Sequence, residues 1–139
     1  MAFLLAQSAQ ADDLPDGRDK TAFTVVGRFY GNWSEADALP TSLSISRHGQ
    51  RYAVEIETAA PGNRWDMATV TGHGSIDHIV FNVPRRLTAH GQVDLIASKD
   101  GHLHGRWTHV QDGRTVTDAV WFRRGTYNYG DAIMVTTKP

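Results

Sequence analysis

Two Asp-Gly dipeptides, Asp100-Gly101 and Asp112-Gly113, separate runs in which apolar and polar residues alternate, and this punctuation constrains the fold most strongly. Asp-Gly supplies the positive φ that a tight hairpin requires, so residues 93–98, 103–110 and 115–124 are expected to form a three-strand antiparallel meander. The same alternation runs upstream. Phe23, Val25, Phe29 and Trp33 fall on one face of a first strand, and Thr24, Arg28 and Asn32 on the other. Leu43 and Ile45 alternate with Ser42, Ser44 and Ser46, and Tyr52, Val54 and Ile56 with Arg51, Glu55 and Glu57. The polar turn Arg47-His48-Gly49-Gln50 joins these two strands as a hairpin. Residues 67–83 read as two more strands bent at Gly72-His73-Gly74, ended by Pro84, which cannot donate to a ladder. Residues 133–136 would add a ninth strand. Eight or nine sequential antiparallel strands with short turns close most economically into an all-β, up-and-down barrel, because closure removes the exposed edges of an open sheet.

The length of 139 residues and an apolar share of 40% suit one globular domain with a sizeable core. With 14 Lys and Arg against 15 Asp and Glu, the net charge of −1 encodes no general attraction to nucleic acid or anionic membrane. No apolar run approaches the roughly 20 residues that span a bilayer as a helix. Residues 1–11 end in Ala9-Gln10-Ala11, the small-x-small form of a signal-peptidase site, after an apolar Phe3-Leu4-Leu5-Ala6 stretch. The expected address is therefore periplasmic or secreted, with cleavage after Ala11. Residues 12–20 follow as an exposed, charged lead-in, and residues 21–139 are expected to form the barrel domain.

Gly31-Asn32-Trp33 near the end of the first strand and Arg123-Arg124 late in the chain resemble the calycin pattern shared by lipocalins and avidins. The segment from Asp100-Gly101-His102-Leu103-His104-Gly105-Arg106-Trp107 to Trp121-Phe122-Arg123 is similar to small secreted bacterial lipocalin-like domains, and more weakly to the late hairpin of avidins. The resemblance implies an eight-stranded barrel. In it Gly31 and Trp33 would plug the closed end beneath the guanidinium of Arg123 or Arg124.

An apolar cup at the open end is expected to hold a small, largely apolar molecule without chemically changing it, with Tyr52, Phe81, Trp107 and Trp121 as lining residues. A second reading is a loop-mediated protein-binding or inhibitory barrel, with Trp65 and Arg64 as anchors in the connection that spans residues 59–67. A third is a small barrel enzyme of cyclase, isomerase or hydratase type, using an inward carboxylate or imidazole as acid or base. Asp77, Asp94 and Asp118 all sit in strand patterns, and Asp118 is the one to watch if the face carrying Val116, Val120 and Phe122 lines the cavity. The outward alternative, with Ala119 and Trp121 inside, is the expectation. His104 is the other acid-base candidate. Among seven histidines, those followed by glycine, His48, His73, His90 and His104, read as turn or bend positions. His102 and His104 are spaced to share a strand face and could chelate one ion, although a metal site would need at least a third ligand. No cofactor is expected, and no phosphate-loop, dinucleotide or nucleophile-elbow motif occurs.

Overall fold

The computed structural model describes residues 24–33 and 40–125. Within them lie eight strands: β1 (Gly27–Asn32), β2 (Pro40–His48), β3 (Arg51–Ala60), β4 (Arg64–Ser75), β5 (His78–Val83), β6 (Gly91–Ala97), β7 (His102–Gln111) and β8 (Arg114–Arg124). Each strand pairs antiparallel with the next, and β8 returns to β1, so the sheet closes into an up-and-down barrel. The signal-like segment, Phe23 and the ninth strand expected at residues 133–136 lie outside the described residues.

Alternation decides which side chains fill the barrel. Phe29, Leu43, Ile45, Val54, Ile56, Phe81, Leu95, Leu103 and Phe122 all point inward and are buried, while the serines of β2 and the glutamates of β3 lie on the outer wall. Asp112 and Gly113 both take positive φ, 53° and 76°, as a tight type I′ turn requires, and they bring Gln111 opposite Arg114. The Asp100-Gly101 turn is longer: only Gly101 has positive φ, and its amide donates to the Ser98 carbonyl at 3.0 Å. There the Ser98 hydroxyl donates to Asp100 and holds that carboxyl below the ordinary carboxylate range, against the opposing effect of desolvation.

The expected bend at Gly72-His73-Gly74 is instead continuous strand, and the chain turns at Ile76-Asp77. These glycines serve close approach. A Cβ on Gly72 would stand 2.7 Å from Ile79 Cδ1, and one on Gly74 would stand 1.9 Å from the His78 carbonyl oxygen. Likewise the connection that holds Trp65 shrinks to a turn at residues 61–63, with Arg64 and Trp65 already in β4.

One end of the barrel is closed by residues 24–26. The Val25 amide donates to the Ile76 carbonyl at 3.0 Å, and the Val25 side chain is fully buried. Arg124 Nη1 and Nη2 donate to the carbonyls of Val26 and Thr24 at 2.8 and 2.6 Å, with the guanidinium carbon 4.7 Å from the centre of the Phe29 ring. The guanidinium-over-aromatic arrangement expected for Trp33 is thus made by Phe29, with Gly27 leaving room: a Cβ there would meet Arg124 Nη1 at 2.2 Å. Arg123 is exposed on the outer wall, and Trp33 is buried further along the barrel. Arg124→Met preserves the aliphatic stem but leaves two carbonyls without donors, so a loss of about 2 kcal/mol is expected. Arg123→Met should stay within about 0.5 kcal/mol of wild type. Paired urea denaturation curves check both values.

Candidate functional site: the open end of the barrel

At the opposite end the β5–β6 connection, residues 84–90, folds inward, burying Leu87 and Ala89. Next to it an aromatic series runs from the barrel middle toward the mouth. Phe122 meets Trp33 edge-on at 5.5 Å between ring centres, Trp33 lies 5.6 Å from Trp107, and Trp107 stacks on His109 at 3.7 Å with planes 14° apart. The polar edges of the indoles are satisfied. Trp33 Nε1 donates to Thr58 Oγ1 at 3.0 Å, Thr58 in turn bonds Thr41 at 2.8 Å, and Trp107 Nε1 donates to the His90 carbonyl at 2.9 Å.

The series ends on a hydrogen-bonded imidazole–carboxylate couple. His109 Nε2 lies 2.7 Å from Asp118 Oδ2, with side-chain exposures of 10% and 36%. The tight turn makes this contact inevitable: Trp107 stands opposite Asp118 and His109 opposite Val116, so the two side chains are diagonal neighbours on the inner face. Asp118 therefore points inward with Val120 and Phe122, contrary to the outward expectation. An ionised carboxylate can only accept, so Nε2 is the nitrogen that donates to it, which in a neutral ring leaves Nδ1 as an acceptor. That second nitrogen has no partner among the described residues. Stacking and the Asp118 bond hold the ring in place from two sides.

Toward this mouth the inward Asp66, His109, Val116 and Asp118 are only half-buried, whereas Thr41, Thr58, Ala60 and Val83 at the same end are covered. The mouth is thus an apolar collar with two carboxylates, one of which, Asp66, is bonded by Arg64 Nε at 3.1 Å.

The other singled-out residues scatter. Tyr52 is inward but near the closed end, its hydroxyl donating to the Ser75 carbonyl at 2.6 Å, and Phe81 is packed inside. Trp121, flanked by inward Val120 and Phe122, faces out beside His102, with ring centres 6.3 Å apart. It does not line the barrel interior, because β8 alternates the other way. Trp65 lies on the outer wall of β4 with 39% of its surface exposed. His102 and His104 share the outer face of β7, their rings edge-on at 5.8 Å, and no group of three or more metal-ligating side chains occurs among the described residues. His73 and His104 stand in strands, not turns. Asp94 faces outward and bonds His78 at 2.7 Å, and Asp77 is exposed in the β4–β5 turn.

His109 is the residue that sequence reasoning passed over. The signal was present: once Asp112-Gly113 fixes a two-residue turn, counting outward places His109 and Asp118 on one face with Trp107.

Strand order and closure make the chain a closed, eight-stranded, up-and-down antiparallel barrel, the architecture that the resemblance to calycins implied. No protein-family model matches the chain, and no curated protein matches it significantly. Among solved structures it is similar to a siderocalin, Ex-FABP, described as functioning through dual ligand specificities. The two share 16% identity over 81% of this chain and 73% of that one, with a TM-score of 0.40.

Proposed function

We propose that this barrel is an exported carrier that binds, at its open end and without changing it, a small molecule with an apolar body and a hydrogen-bond-donating head. The observation that carries the reading is the inward His109–Asp118 couple. It presents two acceptors to the mouth, the imidazole Nδ1 and the second carboxylate oxygen, on an aromatic base formed by Trp107. An eight-stranded barrel is wide enough either to be filled by side chains or to hold one small ligand, and at this end Asp66, Val116 and Asp118 are left half-buried. Export rests on the Ala9-Gln10-Ala11 pattern.

The test is displacement of Nile red by a medium-chain primary alcohol and by its methyl ether, which share an apolar body but differ in the donor. The alcohol is expected to bind about tenfold more tightly, the worth of one hydrogen bond to a site that would otherwise stay unpaired. His109→Phe keeps the stack on Trp107 and should erase that preference, as should Asp118→Ala. Equal displacement by alcohol and ether in the wild-type protein would refute the reading.

The same couple favours a second reading, acid-base chemistry, because an imidazole oriented by a carboxylate with its other nitrogen open is the arrangement of a general base. In that case turnover of a bound carbon acid or hydroxyl compound would show a pH profile abolished by His109→Phe, and His104→Phe on the outer wall would leave it intact.

A further inference from the structure

A second concavity lies on the outer wall, facing away from the barrel interior. It encloses about 540 Å³, within the range of small-molecule sites. Its origin is the strand register: Arg28, Ser44, Glu55 and Thr69 form one row across β1–β4, and Tyr30, Ser42, Glu57 and Met67 form the next. The short serines of β2 stand between long side chains of β1 and β3, so the surface dips there. Arg86 borders the same groove from the β5–β6 connection, where β4 pairs with β5 only at His73, Gly74 and Ser75 and the wall parts toward the open end.

The charges in this groove do not satisfy each other. Arg28, Arg86, Glu55 and Glu57 make no side-chain hydrogen bond or ion pair among the described residues. Two arginines and two glutamates sum to zero, so a ligand of either net charge meets a like charge somewhere along the groove. A hydroxyl both donates and accepts, so neighbouring hydroxyls on one molecule can accept from a guanidinium and donate to a carboxylate. Tyr30 and Met67 add a ring and a thioether against which C–H faces can lie. We infer that this outer groove is a binding site for a neutral saccharide, with Glu57 and Arg28 as its principal polar contacts and the β2 serines as its floor.

Saturation-transfer NMR on the full chain, with glucose, galactose, mannose and maltose as probes, tests the assignment. At least one sugar is expected to receive saturation from the protein. Glu57→Ala should weaken it about tenfold, the loss of one charge-assisted hydrogen bond. Ser44→Trp, which fills the groove from an outward position, should abolish transfer while circular dichroism stays that of the barrel. His109→Phe, at the mouth, should leave transfer unchanged. Absence of transfer to every sugar overturns the inference, as does transfer that survives both Glu57→Ala and Ser44→Trp. Loss of transfer in His109→Phe alone would move the sugar to the mouth and equally overturn it.

Discussion

Gly105→Ala is expected to destabilise the barrel by about 3 kcal/mol or more, although it adds a single methyl group. A Cβ at this position would stand 1.7 Å from the Asp94 carbonyl oxygen and 2.9 Å from Leu95 Cα, all backbone of the neighbouring strand. No rotamer change relieves that clash. β6 and β7 must separate where Leu95 pairs with Gly105, and separation there uncovers Leu95 and Leu103 in the core. Gly113→Ala makes the contrast: its φ of 76° is strained for alanine, but nothing lies within 4 Å of the added carbon. Its cost should stay near 1 kcal/mol. Urea midpoints of the two variants, measured side by side, separate close strand approach from turn strain. Equal midpoints would contradict the account.

Trp33→Ala is expected to cost about 3–5 kcal/mol, the range for deleting a large buried aromatic side chain. The indole is fully buried, and its removal opens a void between Trp107 and Phe122. Trp33→Phe loses the bond to Thr58 and the pyrrole part of the ring but keeps most of the aromatic contact, so a smaller cost of about 1–2 kcal/mol is expected there. Because Trp107 rests on Trp33, the alanine variant should also loosen the stack under His109 and reduce alcohol affinity, whereas the phenylalanine variant should not. Chemical denaturation gives the stabilities.

Local rules made much of the barrel legible. Alternation in β2 and β3 assigned Leu43, Ile45, Tyr52, Val54 and Ile56 to one face, and that face is the interior. Asp112-Gly113 set a turn whose dihedrals match its chemistry. What alternation does not reveal is why a glycine is present. Gly72 and Gly74 look like a bend, yet they permit β5 to lie close against β4. The calycin-like resemblance likewise pointed to a glycine, an aromatic ring and an arginine at the base, but the triplet in use is Gly27, Phe29 and Arg124. One Gly-x-aromatic triplet follows four residues after the other on the same strand face, so only the register of β1 against β8 distinguishes them. The face of β8 was the costliest ambiguity. Val116, Val120 and Phe122 compete with Ala119 and Trp121 for the interior, and the balance is decided by which face completes the core around Trp33. Asp118 and His109 follow from that choice.

The most direct test of the open-end site is the imidazole of His109 itself. Ring-nitrogen chemical shifts of the histidines, recorded while a medium-chain primary alcohol is added, report which of them accepts a hydrogen bond. The account predicts a saturable shift of His109 Nδ1, with Nε2 retaining the signature of its bond to Asp118 and the outer-wall rings of His78 and His104 unmoved. An unmoved His109 at saturating alcohol, or a shift confined to the outer-wall histidines, would contradict it.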